Sequence, residues 1–251
     1  ARKEKNPAQQ KFYLDMAETH WMRVLILDPS NVMAHVSLAN LYMSRYRFDR
    51  AEWHFRYILD QNLDDAVNLS LAEVYLRTGR PEEARRSAAA ARDYFVKRLE
   101  SGQTEAENLQ IRLNLARALT ILKKYASDSE GIGAIDVLED GYRLSPNKLY
   151  KTRLAEIHTE RMADLPAEAF EERLRLYDDI IRHDPYNVPA FQFLVTGLRK
   201  DNPLYQQTQD EIERMIARTG SATFFFLLSN KYLQEKNFDL AKRHLETALR
   251  I

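Results

Sequence analysis

Six histidines are the residues of this chain best suited to acid–base or metal chemistry. A zinc site needs several of them at a spacing such as H-E-x-x-H, because the imidazoles must converge on one ion. No pair of histidines in the sequence has such a spacing. The six are His20, His35, His54, His158, His183 and His244. We therefore predict no metal site and interpret these histidines as solvated or partly packed helix residues.

Paired acids and one pair of glycines are the other candidates for chemistry. The acids fall near expected helix starts or on polar faces, where a carboxylate favours the positive end of a helix more often than it acts as a catalytic pair. They are Asp64-Asp65, Glu82-Glu83, Glu171-Glu172 and Asp178-Asp179. Gly131-Ile132-Gly133 lacks the third glycine and the preceding strand of a nucleotide-binding turn. We predict no catalytic residue, no cofactor and a protein that is not an enzyme.

The composition favours helix and argues against several classes of partner. Only seven Gly and eight Pro occur in 251 residues, and there is no Cys to form a disulfide or a thiolate site. Acidic and basic residues balance at 37 each, so no net charge attracts nucleic acid or an anionic membrane. We expect no nucleic-acid partner and no direct membrane insertion. The localisation is left open between cytoplasm and periplasm.

A repeated pattern of leucine followed by a small residue predicts a series of similar helices. An aromatic, aliphatic or histidine residue follows three positions after the small one. The six occurrences are Leu38-Ala39-x2-Tyr42, Leu71-Ala72-x2-Tyr75, Leu115-Ala116-x2-Leu119, Leu154-Ala155-x2-His158, Leu194-Val195-x2-Leu198 and Leu228-Ser229-x2-Tyr232. This spacing puts the residues on one helix face. We predict that Ala39, Ala72, Ala116 and Ala155 lie at tight contacts between helices.

A second apolar stripe alternates with the first and predicts a partner for each helix. It places residues at i, i+4 and i+7, which is the spacing of an amphipathic helix. The occurrences are Ala17-Trp21-Val24, Ala51-Phe55-Ile58, Ala84-Ala88-Ala91, Ala134-Leu138-Gly141, Ala241-Leu245-Ala248 and, without the Ala, Arg173-Tyr177-Ile180. In three units the second stripe begins twelve residues after the small residue of the first.

The two stripes, their fixed offset and the closing Asp28-Pro29 and Asp184-Pro185 resemble the tetratricopeptide repeat (TPR) family over nearly the whole chain. The shorter intervals between marker leucines, 33 and 34 residues, match the TPR period. The resemblance implies an all-α fold. It also implies a right-handed superhelical solenoid of about seven antiparallel helix pairs, with the outer pairs incomplete.

We predict a single TPR-like domain over residues 1–251. Its units run over about 1–31, 32–64, 65–98, 109–147, 148–186, 187–220 and 222–251. The domain is expected to be a fragment of a longer protein, because no capping helix with a polar outer face is evident at either end. Residues 85–125 are predicted to form two long helices that extend past their neighbours, with a turn near Ser101-Gly102.

The side chains that the core stripe leaves free on the first helices are the candidate binding residues. In a solenoid of helix pairs the first helices line the concave wall, so these positions face a groove. They are Asn40, Met43, Glu73, Arg77, Asn114, Arg117, Glu156, Gln192, Thr196 and Asn230, with Arg199 in the same register. Asn and Arg side chains suit the backbone amides and carboxylates of an extended peptide.

The sequence thus predicts a protein–protein interaction scaffold or adaptor that binds a partner peptide or protein in the concave groove. Two other classes stay open. The chain could be the helical arm of an enzyme or of a larger bacterial envelope secretion or polysaccharide-export assembly. It could also be a helical repeat that binds nucleic acid, although the balanced charge favours this least.

Overall fold

The computed structural model describes residues 7–102, 104–124, 132–166, 168–197 and 204–251. These ranges contain α-helices, a short 3-10 helix at Asp65–Val67 and no β-strand. The helices are α1 (Pro7–Leu27), α2 (Val32–Ser44), α3 (Phe48–Asp60), α4 (Asn68–Arg77), α5 (Pro81–Glu100), α6 (Glu105–Ile121), α7 (Ala134–Leu144), α8 (Lys148–Asp164), α9 (Phe170–His183), α10 (Val188–Gly197), α11 (Tyr205–Thr219), α12 (Ala222–Gln234) and α13 (Phe238–Arg250). The prediction of an all-α fold is confirmed.

After α1, the described helices form successive pairs in which each first helix packs on the next helix of the chain. The pairs are α2 with α3, α4 with α5, α6 with α7, α8 with α9, α10 with α11, and α12 with α13. Only three residues separate the helices of the first, second and last pairs, so the second helix of each must run back along the first. The right-handed superhelix stays a prediction.

Four of these pairs turn through a left-handed residue at the same place in the repeat. It is the eighth residue after the marker leucine: Leu38 and Tyr46, Leu71 and Gly79, Leu115 and Lys123, Leu228 and Lys236. Their φ angles lie between 57° and 71°. Only glycine adopts this backbone without a steric cost, so the other three residues are held there by the packing of the pair on either side. The recurrence is a mark of the repeat that the residue types alone do not reveal.

The chain divides into two compact units, residues 1–145 and 146–251. In the first unit the buried cluster contains residues of both stripes, including Leu38, Tyr42 and Phe55. In the second it contains Tyr177, Phe191 and Phe224 among others. The four alanines that follow a marker leucine, Ala39, Ala72, Ala116 and Ala155, are all buried, as predicted.

Helices α5 and α6 are long, as the sequence predicts. They have 20 and 17 residues, whereas α4 and α7 have 10 and 11. At about 1.5 Å per residue, α5 is twice the length of the helix it pairs with. The break falls at Ser101 and Gly102, where Gly102 has a φ of 71°. The predicted end at Tyr125 is wrong, because α6 ends at Ile121, before the left-handed Lys123; Tyr125 itself lies outside the described residues.

Replacing Ala72 by phenylalanine should lower the free energy of unfolding. Ala72 is fully buried on α4, so a larger side chain has to displace its neighbours, which costs about 1–3 kcal/mol. Urea unfolding followed by circular dichroism measures the change. Ala90→Phe is the matched control, because Ala90 is exposed on α5 of the same pair. Equal stability of the two variants would contradict the close packing around Ala72.

Candidate functional site

The first helices of residues 1–145 present the predicted polar positions on their outer surface. All six candidate residues of this unit are partly or fully exposed, whereas the residues of the leucine stripe on the same helices are buried. The six are Asn40 and Met43 on α2, Glu73 and Arg77 on α4, and Asn114 and Arg117 on α6. Helices α4 and α6 contact each other directly, although α5 lies between them in the sequence. We call the exposed surface of α2, α4 and α6 that these six residues form the first-helix face.

One ion pair joins two of the predicted residues across neighbouring first helices. The Arg117 Nη2 donates a hydrogen bond to Glu73 Oε1, so α6 is tied to α4 at the surface. Both side chains remain partly exposed to solvent. An ion pair of this kind contributes only about 0–1 kcal/mol to stability. Its main effect is to hold the Arg117 guanidinium in a fixed position on the first-helix face.

Two further polar groups of this face are available for a ligand. Arg77 lies one turn after Glu73 on α4, is exposed and makes no ion pair with any described residue. Asn114 accepts a hydrogen bond from Gln110 Nε2 at 3.0 Å, which leaves its own amide hydrogens as donors. Arg77, Asn114 and Arg117 together offer donors from two contacting helices, and donors are what carboxylates and backbone carbonyls require.

The other four predicted residues lie in the second unit. Glu156 on α8 pairs with Arg153, whose Nη1 lies 3.0 Å from the Glu156 carboxylate. Thr196 on α10 donates its hydroxyl to the main-chain oxygen of Gln192 at 2.8 Å, and Asn230 lies half-buried on α12. Within the described part of this unit, no hydrogen bond or ion pair joins these residues from one helix to the next. Arg199 lies outside the described residues.

The interpretation of the histidines as solvated or partly packed is wrong for three of them. His35, His54 and His158 are buried. His158 occupies the place after Leu154-Ala155 that Tyr42 and Tyr75 occupy in their own units. This position in the repeat predicts that His158 is buried, because the residues that occupy it in the other units belong to the leucine stripe. No group of three or more potential metal ligands occurs within the described ranges.

Burial changes the acid–base behaviour of two of these histidines. It lowers the pKa of His54 to about 4, with a smaller contribution from the neighbouring His35. Burial also lowers the pKa of His158 to about 4, against the opposing effect of Asp179. His158 Nδ1 and His183 Nδ1 are buried and have no hydrogen-bond partner among the described residues. Both low pKa values thus arise from the packing of the helices.

Helix α1, the longest of the described helices, is interrupted by charged residues from Lys11 to Arg23. No helix in the described ranges combines the length and the apolar character that crossing a bilayer requires.

Comparison with known proteins gives matches only among solved structures. No protein-family model and no curated protein matches the sequence. YrrB, a TPR protein with an unusual peptide-binding site, is 15% identical with a TM-score of 0.38, over 92% of this chain and 91% of that one. BtubC from P. vanneervenii is 16% identical with a TM-score of 0.41, over 98% and 91% of the two chains. A thermophilic TPR protein of Thermus thermophilus is 18% identical with a TM-score of 0.27, over 87% and 90%.

TPR proteins are among the structures that the chain resembles. At this identity and these TM-scores, the matches give no information on a ligand. The chemistry of a ligand therefore has to be inferred from the exposed side chains of this chain and from the helices that position them.

Proposed function

We propose that this chain is a protein–protein interaction scaffold that binds an extended peptide or protein segment on the first-helix face. The observation that supports it most is the bridge from Glu73 to Arg117, with Arg77, which makes no ion pair with a described residue, one turn after Glu73. A surface of this kind presents two guanidinium groups and buries neither, and Glu73 orients that of Arg117. It can therefore exchange water for the carboxylates or carbonyls of a ligand at little cost in protein rearrangement.

The chemistry of the face favours a peptide with an acidic side chain or a terminal carboxylate. An arginine binds a carboxylate through two parallel hydrogen bonds, and such charge-assisted bonds are stronger than neutral ones. The Asn40 and Asn114 amides offer both a donor and an acceptor, which match the main chain of an extended segment. Gln192 and Asn230 are proposed to form a surface of the same type on the second unit by itself.

Replacing both Arg77 and Arg117 with alanine should weaken peptide binding at least about tenfold, since a hydrogen bond to a charged group contributes about 1.5–3 kcal/mol. The probe is a peptide selected from a displayed random library on the wild-type chain and then synthesised. Isothermal titration calorimetry measures its dissociation constant. The melting temperature should change little, because both side chains are exposed.

The matched control is the double variant Arg85→Ala, Arg143→Ala. It removes the same charge from exposed positions on the second helices α5 and α7. Unchanged affinity in the Arg77, Arg117 variant, or an equal loss in the control, would contradict the proposed site. If the first variant unfolds, the arginines are structural and the proposal is also wrong.

A further inference from the structure

A cavity of about 430 Å³ opens between α1 and α3, on another surface of the first unit. Its walls are mainly apolar and aromatic: Met22, Leu25 and Ile26 from α1, and Trp53, His54 and Tyr57 from α3. On α2 it is lined by His35 and Tyr42, whereas the predicted groove residues of that helix, Asn40 and Met43, do not contribute. The cavity is therefore separate from the first-helix face.

The two histidines of the cavity form a hydrogen-bonded chain that fixes their tautomers. His35 Nε2 lies 2.9 Å from the main-chain oxygen of Pro29, and since a carbonyl only accepts, this nitrogen carries a hydrogen. When both rings are neutral, His35 Nδ1 then accepts from His54 Nδ1, 2.8 Å away. His54 Nε2 is left as a bare acceptor, and it makes no hydrogen bond with any described residue. The buried His54 ring thus offers one acceptor to a ligand.

Trp53 and Tyr57 line both the cavity and a second cleft along α3, and this second cleft carries negative charge. Trp53 is 58% exposed and stacks on Tyr57 with a centroid separation of 5.7 Å. Asp49 and Asp60 adjoin these two rings and make no ion pair with any described residue.

Arg50 lines the cavity and lies 3.8 Å from Glu18, which Arg45 also contacts at 2.6 Å. Asp15 lies 2.6 Å from Arg45, so the two arginines are balanced by two carboxylates.

A further carboxylate of the second cleft is already neutralised. Glu52 lies 2.8 Å from Arg80 and 3.6 Å from Arg56. The charge left in this cleft is therefore that of Asp49 and Asp60, and it complements cations.

We propose that this cavity docks a short basic segment of a partner protein, which inserts a tryptophan or tyrosine side chain and places one lysine or arginine beside Asp49 and another beside Asp60. The two aspartates are at opposite ends of α3, about 16 Å apart at about 1.5 Å per residue, so two cations on either side of the aromatic residue are needed. The indole N–H or phenol O–H supplies the donor that His54 Nε2 lacks. The ring fills an apolar space that aromatic side chains favour, since they combine a large apolar area with a polar tip. The flanking cations meet the carboxylates and the exposed face of Trp53, which attracts cations.

Three labelled decapeptides in a Gly-Ser background test the proposal. The first has one Trp flanked by two Lys, the second replaces Trp with Ala, and the third replaces both Lys with Glu. Fluorescence polarisation should show saturable binding of the first peptide and a loss of about tenfold or more for each of the others, as expected when an anchor residue is removed. Absence of saturable binding for the first peptide, or equal affinity for all three, overturns the proposal.

A pair of variants locates the site. Ile26→Arg places a cation at the wall of the cavity, where it repels the lysines of the Trp-Lys peptide, and should abolish binding, whereas Leu27→Arg should leave it unchanged. Both residues are highly exposed, at 77% and 88%, but only Ile26 lines the cavity. Their melting temperatures should therefore be equal. Equal affinity of the two variants overturns the proposal.

The same assay tests the contribution of Asp49 and Asp60 and the nature of the occupant. The double variant Asp49→Asn, Asp60→Asn should weaken binding about tenfold, whereas Glu139→Gln on α7 should not. If sedimentation instead shows that Ile26→Arg dissociates a dimer of the wild-type chain, the surface is a self-interface and the proposal is wrong. The Arg77, Arg117 double variant should bind the Trp-Lys peptide normally, so this site and the first-helix face can fail independently.

Discussion

Acidification from pH 7 to pH 5 should lower the free energy of unfolding by about 2 kcal/mol in each compact unit, through His54 in one and His158 in the other. Both side chains have a pKa of about 4 in the folded protein, below the value of about 6.5 of an unfolded histidine. Between these two pH values each histidine is therefore protonated in the unfolded protein but stays neutral in the folded protein. The stabilisation is complete above the unfolded pKa and is lost as the pH falls from about 6.5 towards 4.

The variant His158→Leu isolates the contribution of the second unit. Leucine occupies the corresponding repeat position at Leu119, where it is fully buried. The variant should lose the pH dependence that arises from His158 and should gain about 1 kcal/mol at pH 7, because it removes a buried nitrogen without a partner. Urea unfolding at pH 7 and pH 5 measures both effects.

The control for this experiment is His20→Leu, which changes an exposed histidine on α1. It should leave the difference between pH 7 and pH 5 unchanged. If His158→Leu keeps the full pH dependence of the wild type, the explanation by burial of this ring is wrong.

Replacing Phe191 by alanine should destabilise the second unit by about 3–5 kcal/mol, the usual cost of deleting a buried aromatic ring. Phe191 on α10 and Phe224 on α12 are both fully buried, and their rings stack with centroids 4.0 Å apart. Removing one ring leaves a cavity and an unpacked face on the other. Differential scanning calorimetry or urea unfolding gives the loss.

Phe226→Ala is the matched control, because Phe226 lies on α12 but is 49% exposed. Its effect should be within about 0.5 kcal/mol of zero, as for most surface substitutions. Similar losses in the two variants would contradict the packing of α10 on α12.

The sequence predicts the helix pairs because the spacing of small and large apolar residues determines how the two helices of a pair pack. Leu71, Ala72 and Tyr75 lie at i, i+1 and i+4, which share one face of a helix, and all three are buried. The end of α6 could not be predicted in this way. A lysine at position 123 gives no sign of a left-handed backbone, which tertiary packing imposes. For the same reason Tyr46 and Lys236 resemble ordinary surface residues.

The candidate sites are predicted less completely than the helices. Position in the repeat places Glu73 and Arg117 on first helices. Their ion pair also requires that α4 and α6 contact each other, and the periodicity of a single helix does not predict such a contact. The cavity beside His54 was missed entirely. It arises from residues 19 positions apart whose rings meet only after α2 and α3 fold together.

The measurement that tests the central proposal most directly is photo-crosslinking of the selected peptide to the wild-type chain. The peptide carries a benzophenone side chain at each position in turn, and the attachment sites are read by mass spectrometry. The account predicts crosslinks on α2, α4 and α6, around residues 40–43, 73–77 and 114–117. Crosslinks confined to α3, α5 and α7 would contradict it, because the partner would then bind the second helices instead of the first-helix face.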